Sequence, residues 1–345
     1  IWPIVNQRVG EAARIRYGSN GQACVPMVVR APYGGGVRGA LQCMLLQRLF
    51  DHSPWLEECV DMYAGSSVGA FLAAGCATRP FAEAKACCTK EQFESVFGDS
   101  WQRDAESANA WYAARYPSEP VEQVCNDLFG KSTLRDTKKH LLITAQRIDS
   151  RRTPDDNALD SLCDNLFPSH RWQPVIYHTL DGANEAQMNR AVAECLLESS
   201  AAPTFFSARN GCVDGGLLAN NPCMLAVAYA KRFGAVDTLE DVVVISIGTG
   251  KEAQNMDHYG PSADLGKWQW VGAATDLAMQ ANSEAAALEC ACLLGQDQFL
   301  RLQPVLHASV RLDDVNAIPL LQHAGQNIDL TNAFHFLDAL REKVQ

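Results

Sequence analysis

Three glycine-bearing stretches of this 345-residue chain carry the residue types that acyl transfer needs: a nucleophile, oxyanion donors and a base. The first is Gly65-Ser66-Ser67-Val68-Gly69, a G-x-S-x-G spacing. Glycines two residues either side of a serine let the backbone turn sharply from a strand into a helix and leave the hydroxyl exposed at the turn. A helix starting just after Ser67 would also aim its N-terminal dipole at the serine, favouring developing negative charge there. The second stretch is Gly34-Gly35-Gly36-Val37-Arg38-Gly39. It lacks the Gly-Lys-Ser/Thr of a phosphate-binding loop. Its spacing, with no acidic residue at a strand end about twenty positions on, is also wrong for a dinucleotide fingerprint. An oxyanion hole fits better, because successive glycine N–H groups can converge on one oxygen. The third is Asp214-Gly215-Gly216, where the adjacent glycines free the backbone to aim a carboxylate. Taken alone, Asp-Gly-Gly is also the composition of an ordinary turn.

The elements that must position these residues are legible around them. Val25–Ala31 is a β-branched run that reads as a strand, and it feeds the triple glycine. Leu41, Met44, Leu45 and Leu49 then recur at helical spacing. The elbow repeats this order: Cys59–Ala64 as a strand, the turn at 65–69, and a helix of small residues ended by Arg79-Pro80. Residues 80–135 read as mostly helical and surface-exposed. His140–Gln146 and Gln173–Thr179 read as strands, with a solvated charged loop at 147–160 between them and one helix over Asn184–Ser199 after them. The Asp214 motif is expected in a loop. Beyond it, Asn221-Pro222 suits a helix start, and Gly234 the left-handed position after a helix end. Asp241–Gly250 is a continuous apolar strand of the kind a sheet covered on both faces requires. One more strand is expected near Phe299–Pro304 and a last helix from about Thr331. Alternating strands and helices predict a three-layer α/β/α fold with a central, mostly parallel sheet. Residues 1–22 are expected as an N-terminal segment and 23–345 as one domain.

With these blocks in order, together with Glu198–Phe206 and Val243–Gly250, the chain resembles the patatin-like phospholipases, a family that includes plant patatins and the calcium-independent phospholipases A2. The resemblance runs from about Val25 to Gly250 and less clearly to residue 300. It implies a lipid acyl hydrolase with a Ser–Asp dyad and no histidine. Ser67 matches the nucleophile and Asp214 the base; Gly35, Gly36, Val37 and Arg38 match the oxyanion loop. Gly34, Gly39, Gly65, Gly69, Gly215 and Gly216 support these motifs. Arg38 could neutralise charge on the oxyanion loop or on a substrate phosphate. Two departures stand out: Tyr33 where the family usually has Asp, and Ser66 and Val68 around the nucleophile, where Val68 would narrow the site.

Two other functions compete. A Ser–His–Asp esterase or thioesterase of the α/β-hydrolase type would draw its histidine from His258, His307, His323 or His335. A non-catalytic lipid-binding relative would keep the fold alone. The net charge of −11 argues against a nucleic-acid binder. It also disfavours strong attraction to anionic membranes. Thirteen scattered cysteines, Cys43, Cys195, Cys223, Cys290 and Cys292 among them in apolar stretches, read as reduced thiols in a cytoplasmic protein that meets membranes peripherally. No metal or cofactor motif occurs. The expected partner is a phospholipid or other acyl lipid, met in transient contact with a membrane surface, where Trp55, Trp268 and Trp270 could assist or instead pack in the core.

Overall fold

The protein is described from a computed structural model covering residues 27–32, 35–98, 113–149, 172–252 and 264–344, together with 163, 166 and 262. The segment 1–22, Tyr33, Gly34, His258, residues 150–160 of the charged loop and the side chain of Trp268 lie outside the described residues.

Seven strands form the main sheet: β1 (Met27–Pro32), β2 (Val60–Gly65), β3 (His140–Arg147), β4 (Pro174–His178), β5 (Cys212–Asp214), β6 (Val242–Ile247) and, after a two-residue β7 (Lys251–Glu252), β8 (Phe299–Leu302). β7 pairs separately with β9 (Val305–Leu306). The order across the sheet is β4-β3-β2-β1-β6-β8, and β5 is added onto β3. Strands β1, β2, β3, β6 and β8 are mutually parallel, while β4 and β5 run antiparallel to β3.

Side-chain alternation divides the core in two. Tyr63, Leu141, Ile143, Ala145 and Ile245 point into one cluster; Met62, Ala64, Leu142, Val242 and Val244 point into the other. The first face is covered by α1 (Gly39–His52), α2 (Val68–Thr78), α3 (Lys90–Phe97), α4 (Glu119–Phe129) and α5 (Val192–Ser199). The second is covered by α6 (Cys223–Arg232) and α7 (Lys267–Leu294). Two further helices, α8 (Ile318–Asn327) and α9 (Thr331–Val344), back α1. Three layers result, as the alternating pattern requires.

Local chemistry explains the boundaries. Leu41, Leu45 and Leu49 are all fully buried, which fixes the inner stripe of α1. In α2 every residue from Val68 to Ala77 is buried, so its small side chains let it lie directly on the sheet. Asn221 Oδ1 accepts the Cys223 N–H at 3.3 Å at the start of α6, and Gly234 follows that helix with φ +72°. The expected helix over Asn184–Ser199 is broken: Asn184 caps a single turn by accepting the Gln187 N–H at 2.7 Å. Ala191 is then extended, because it bridges to Thr133. The helices between 80 and 135 exist, but they are not surface cover; Phe93, Val121, Val124, Cys125 and Phe129 are buried. Among the described residues no cysteine is in a disulfide, and Cys292 is exposed rather than core. No described helix is long and apolar enough to cross a membrane.

Candidate active site

Strand β2 makes its last rung with β3 at Gly65–Ile143, and α2 begins at Val68. Only two residues are left for the turn. Ser67 meets the constraint with φ 53° and ψ −130°, a conformation that costs a non-glycine residue about 1–3 kcal/mol and persists only where the surroundings impose it. The close approach at Gly65 is equally strict, since a Cβ there would sit 2.4 Å from the Gly69 carbonyl oxygen. Val68 rests against the start of α1: a Cβ on Gly39 would lie 2.8 Å from Val68 Cγ2. The valine therefore seats the elbow on α1 as well as lining the cavity described below.

The carboxylate arrives on the same edge of β3. β4 pairs with Ala145 and Gln146 on one edge, so β5, which pairs with the same two residues, occupies the other. That other edge is the one β2 leaves at Ile143. Asp214 stands opposite Ala145, two residues further along, a distance of about 7 Å on an extended strand. Asp214 was expected in a loop and instead ends a three-residue strand. Between the two rungs, Thr144 is fully buried. Its hydroxyl lies 2.6 Å from Ser66 Oγ and 3.3 Å from the Gly215 carbonyl, and so ties the elbow to the aspartate turn. Ser66 also donates to the Ala219 carbonyl.

Asp214 is buried, its carboxylate accepts the Gly216 N–H at 2.7 Å, and the Ser67 side chain is near enough to lower its pKa. Burial pushes its pKa up from the ordinary 3.8 to about 6, against the opposing effect of Ser67 and of the Gly216 N–H. A carboxyl so tuned is ionised at neutral pH yet is a better proton acceptor than a solvated one.

The glycine loop is more constrained than its sequence suggests. Gly36 has φ +53°, and a Cβ there would lie 2.1 Å from the Leu312 carbonyl oxygen. That oxygen accepts the Val37 N–H at 2.9 Å, while the Arg38 N–H returns to the Gly35 carbonyl at 3.1 Å. Of the four residues expected in the oxyanion loop, two thus have their amides engaged within the fold. Among the described residues, the N–H groups of Gly35 and Gly36 meet no acceptor. Arg38 lies at the same loop, where its guanidinium holds the Val310 carbonyl, with Nε at 3.0 Å. It fastens the 309–313 segment to the loop. The far end of that segment is held by buried Asp313, which pairs with Arg115 at 2.6 Å and accepts the Tyr116 hydroxyl at 2.8 Å.

Gly35, Gly36, Arg38, Ser67 and Asp214 all line one cavity of about 760 Å³. Its wall beside α2, α3 and α4 is apolar, made by Phe71, Phe93, Val96, Phe97, Val121 and Val124. The opposite wall carries polar groups, including Thr249, Lys251, Glu284, Arg301 and Gln303. His307, His323 and His335 are exposed, and no described histidine is on this lining. Trp55 is half-buried against the core, whereas Trp270 is exposed. Thr144, Ser199 and Leu312 are the site's contributors that motif reading missed. The signal for Thr144 was a polar residue in the middle of the apolar run Leu141–Ala145.

A mostly parallel sheet that brings a serine on a strand-to-helix elbow, a buried carboxylate and a glycine loop to one cavity has the form of a hydrolase. The chain belongs to the patatin-like phospholipase family, whose family model matches residues 33–227. It is 25% identical over 330 residues to "Protein teg" of Priestia megaterium, covering 88% of this chain and 96% of that protein. It is 27% identical over 278 residues to a cGAMP-activated phospholipase of Pseudomonas aeruginosa, covering 79% of this chain and 76% of that one. A shorter match of 125 residues at 30% identity, 30% of this chain and 29% of the relative, is to patatin-like protein 3 of Arabidopsis thaliana. Family membership supports lipid hydrolysis as the class of activity and lipids as the class of substrate.

Proposed function

We propose that the protein hydrolyses fatty-acyl esters of phospholipids, as a phospholipase A or lysophospholipase, through a Ser67–Asp214 dyad. The observation that carries this reading is that the elbow serine Ser67 and the buried carboxylate of Asp214, whose pKa near 6 is held down by Ser67, line one cavity. Asp214 takes the Ser67 proton as the serine oxygen attacks the ester carbonyl. The N–H groups of Gly35 and Gly36 receive the developing oxyanion, and the N-terminus of α2 adds its dipole. Val37 and Arg38 serve the loop by anchoring it to Leu312 and Val310. Collapse of the tetrahedral intermediate expels the alcohol with the proton held on Asp214. Water then attacks the acyl-enzyme, Asp214 again acting as base. Every charge that develops is met by protein groups, so the scheme is calcium-independent.

The apolar wall of Phe71, Phe93, Val96, Phe97, Val121 and Val124 suits the acyl chain, and the polar wall suits the rest of the lipid. A substrate of this kind resides in a bilayer, so the reading includes transient contact of a cytoplasmic protein with a membrane surface. The test uses mixed phospholipid vesicles with mass spectrometry of the products. Ser67→Ala and Asp214→Asn should each cut fatty-acid release by three orders of magnitude or more, on the scale of other nucleophile and base removals. Ordinary turnover by either folded variant would defeat the dyad.

A further inference from the structure

The Glu198–Phe206 block has no part in the proton transfers above, yet it touches both dyad residues. We infer that Ser199 is a positioning residue for Ser67: its buried hydroxyl accepts the Ser67 N–H and holds the nucleophile in the backbone conformation from which it reaches Asp214. This rests on the Ser67–Asp214 reading and adds to it.

Ser67 N–H donates to Ser199 Oγ at 2.9 Å, and Ser199 is completely buried. The positive φ of Ser67 is unfavourable for a serine, so something beyond the chain itself must hold it. Gly65 only makes room for that conformation, whereas the bond to Ser199 favours it directly. The same short segment also fixes the base. The Ser199 carbonyl accepts the Gly215 N–H at 2.9 Å, and the Ala201 carbonyl accepts the Asp214 N–H at 2.9 Å. Nucleophile and base are therefore registered to one three-residue stretch at the end of α5, independently of their pairing with β3. That stretch is itself rigid. Cys195 and Leu196 are fully buried on α5, and the neighbouring Glu198 carboxylate is held by the Tyr177 hydroxyl, the Arg190 guanidinium and Asn210 Nδ2 at 2.8 Å. A chain end pinned so firmly can impose a conformation on its partner and not merely follow it.

The contribution is to geometry at the reacting atom, so it belongs in kcat and not in substrate binding. Ser199→Ala leaves the Ser67 N–H buried without an acceptor, and kcat on a p-nitrophenyl ester should fall about thirtyfold. KM should stay within about twofold, and the rate at which a fluorophosphonate probe labels Ser67 should fall with kcat. Ser199→Thr keeps the oxygen and should recover activity to within about fivefold of the parent. Thermal melts follow the fold in each case. A merely structural serine would lower the melting temperature without this split between kcat and KM and without rescue by threonine. The inference is overturned if folded Ser199→Ala keeps kcat within about threefold, if its loss lies in KM, or if folded Ser199→Thr is as impaired as alanine. Should the alanine variant not fold, Ser199→Cys, whose sulfur accepts weakly, decides on the same criteria. Activity surviving in Ser67→Ala would be a separate failure, that of the dyad.

Discussion

Replacing Asp214 with asparagine should end catalysis and, at neutral pH, make the protein more stable. The carboxyl is buried, and burial raises its pKa from 3.8 to about 6. Each unit corresponds to about 1.4 kcal/mol, so the ionised form costs the fold on the order of 3 kcal/mol. The sign follows from proton binding. Between pH 3.8 and about 6 the folded protein keeps a proton that the unfolded chain has lost, so stability falls as pH rises through this window and levels off above it. Asparagine matches the shape, since its oxygen can accept the Gly216 N–H and its amide can donate to Ser67 Oγ. Ser67 loses its own acceptor, which reduces the gain to about 1–3 kcal/mol. The assay is urea unfolding of both proteins from pH 4.5 to 8. The stability gap in favour of the variant should be widest at pH 7 to 8 and shrink toward pH 4.5. A variant no more stable than the parent at pH 8, or a gap that does not change with pH, would refute the claim that this carboxylate is held ionised at a cost.

Two further outcomes are expected. The acid limb of kcat/KM should bend near pH 6 and fall about tenfold per pH unit below it, as the free enzyme's base becomes protonated; a limb near pH 4 would mean that a solvated carboxylate is the base. Val96→Trp, which fills part of the apolar wall from a half-buried position, should lower hydrolysis of a hexadecanoyl ester about tenfold relative to a butanoyl ester. Equal effects on both esters would remove the acyl chain from that wall.

What the sequence revealed of this fold was whatever has local chemistry. The β-branched run Val242–Ile247 can only be a covered strand, and Asn221, Pro222 and Gly234 punctuate α6 where they stand in the chain. The elbow was visible because its geometry demands glycine at 65. Three features were hidden because their causes are distant. β5 is too short for any periodicity, and its identity as a strand depends wholly on β3. The direction of β4 leaves no mark on its composition. The engagement of Val37 by Leu312 depends on a residue 275 positions away, so the Gly34–Gly39 motif could not say which of its amides remain open. The apolar faces of α3 and α4 read as cover for a surface, because amphipathicity does not reveal whether a stripe meets protein or encloses a cavity.

The three-rung attachment of β5 to β3 has a consequence for the order in which this molecule comes into being. A segment of three residues cannot hold itself as a strand and pairs only with an edge that already exists. Ser67 and Asp214 are 147 residues apart, and closing so long a loop is among the slower events of folding. A chain emerging during synthesis has Ser67 long before it has Asp214. On the proposed dyad, copies in which β5 has not yet docked on β3 are expected to be hydrolytically silent.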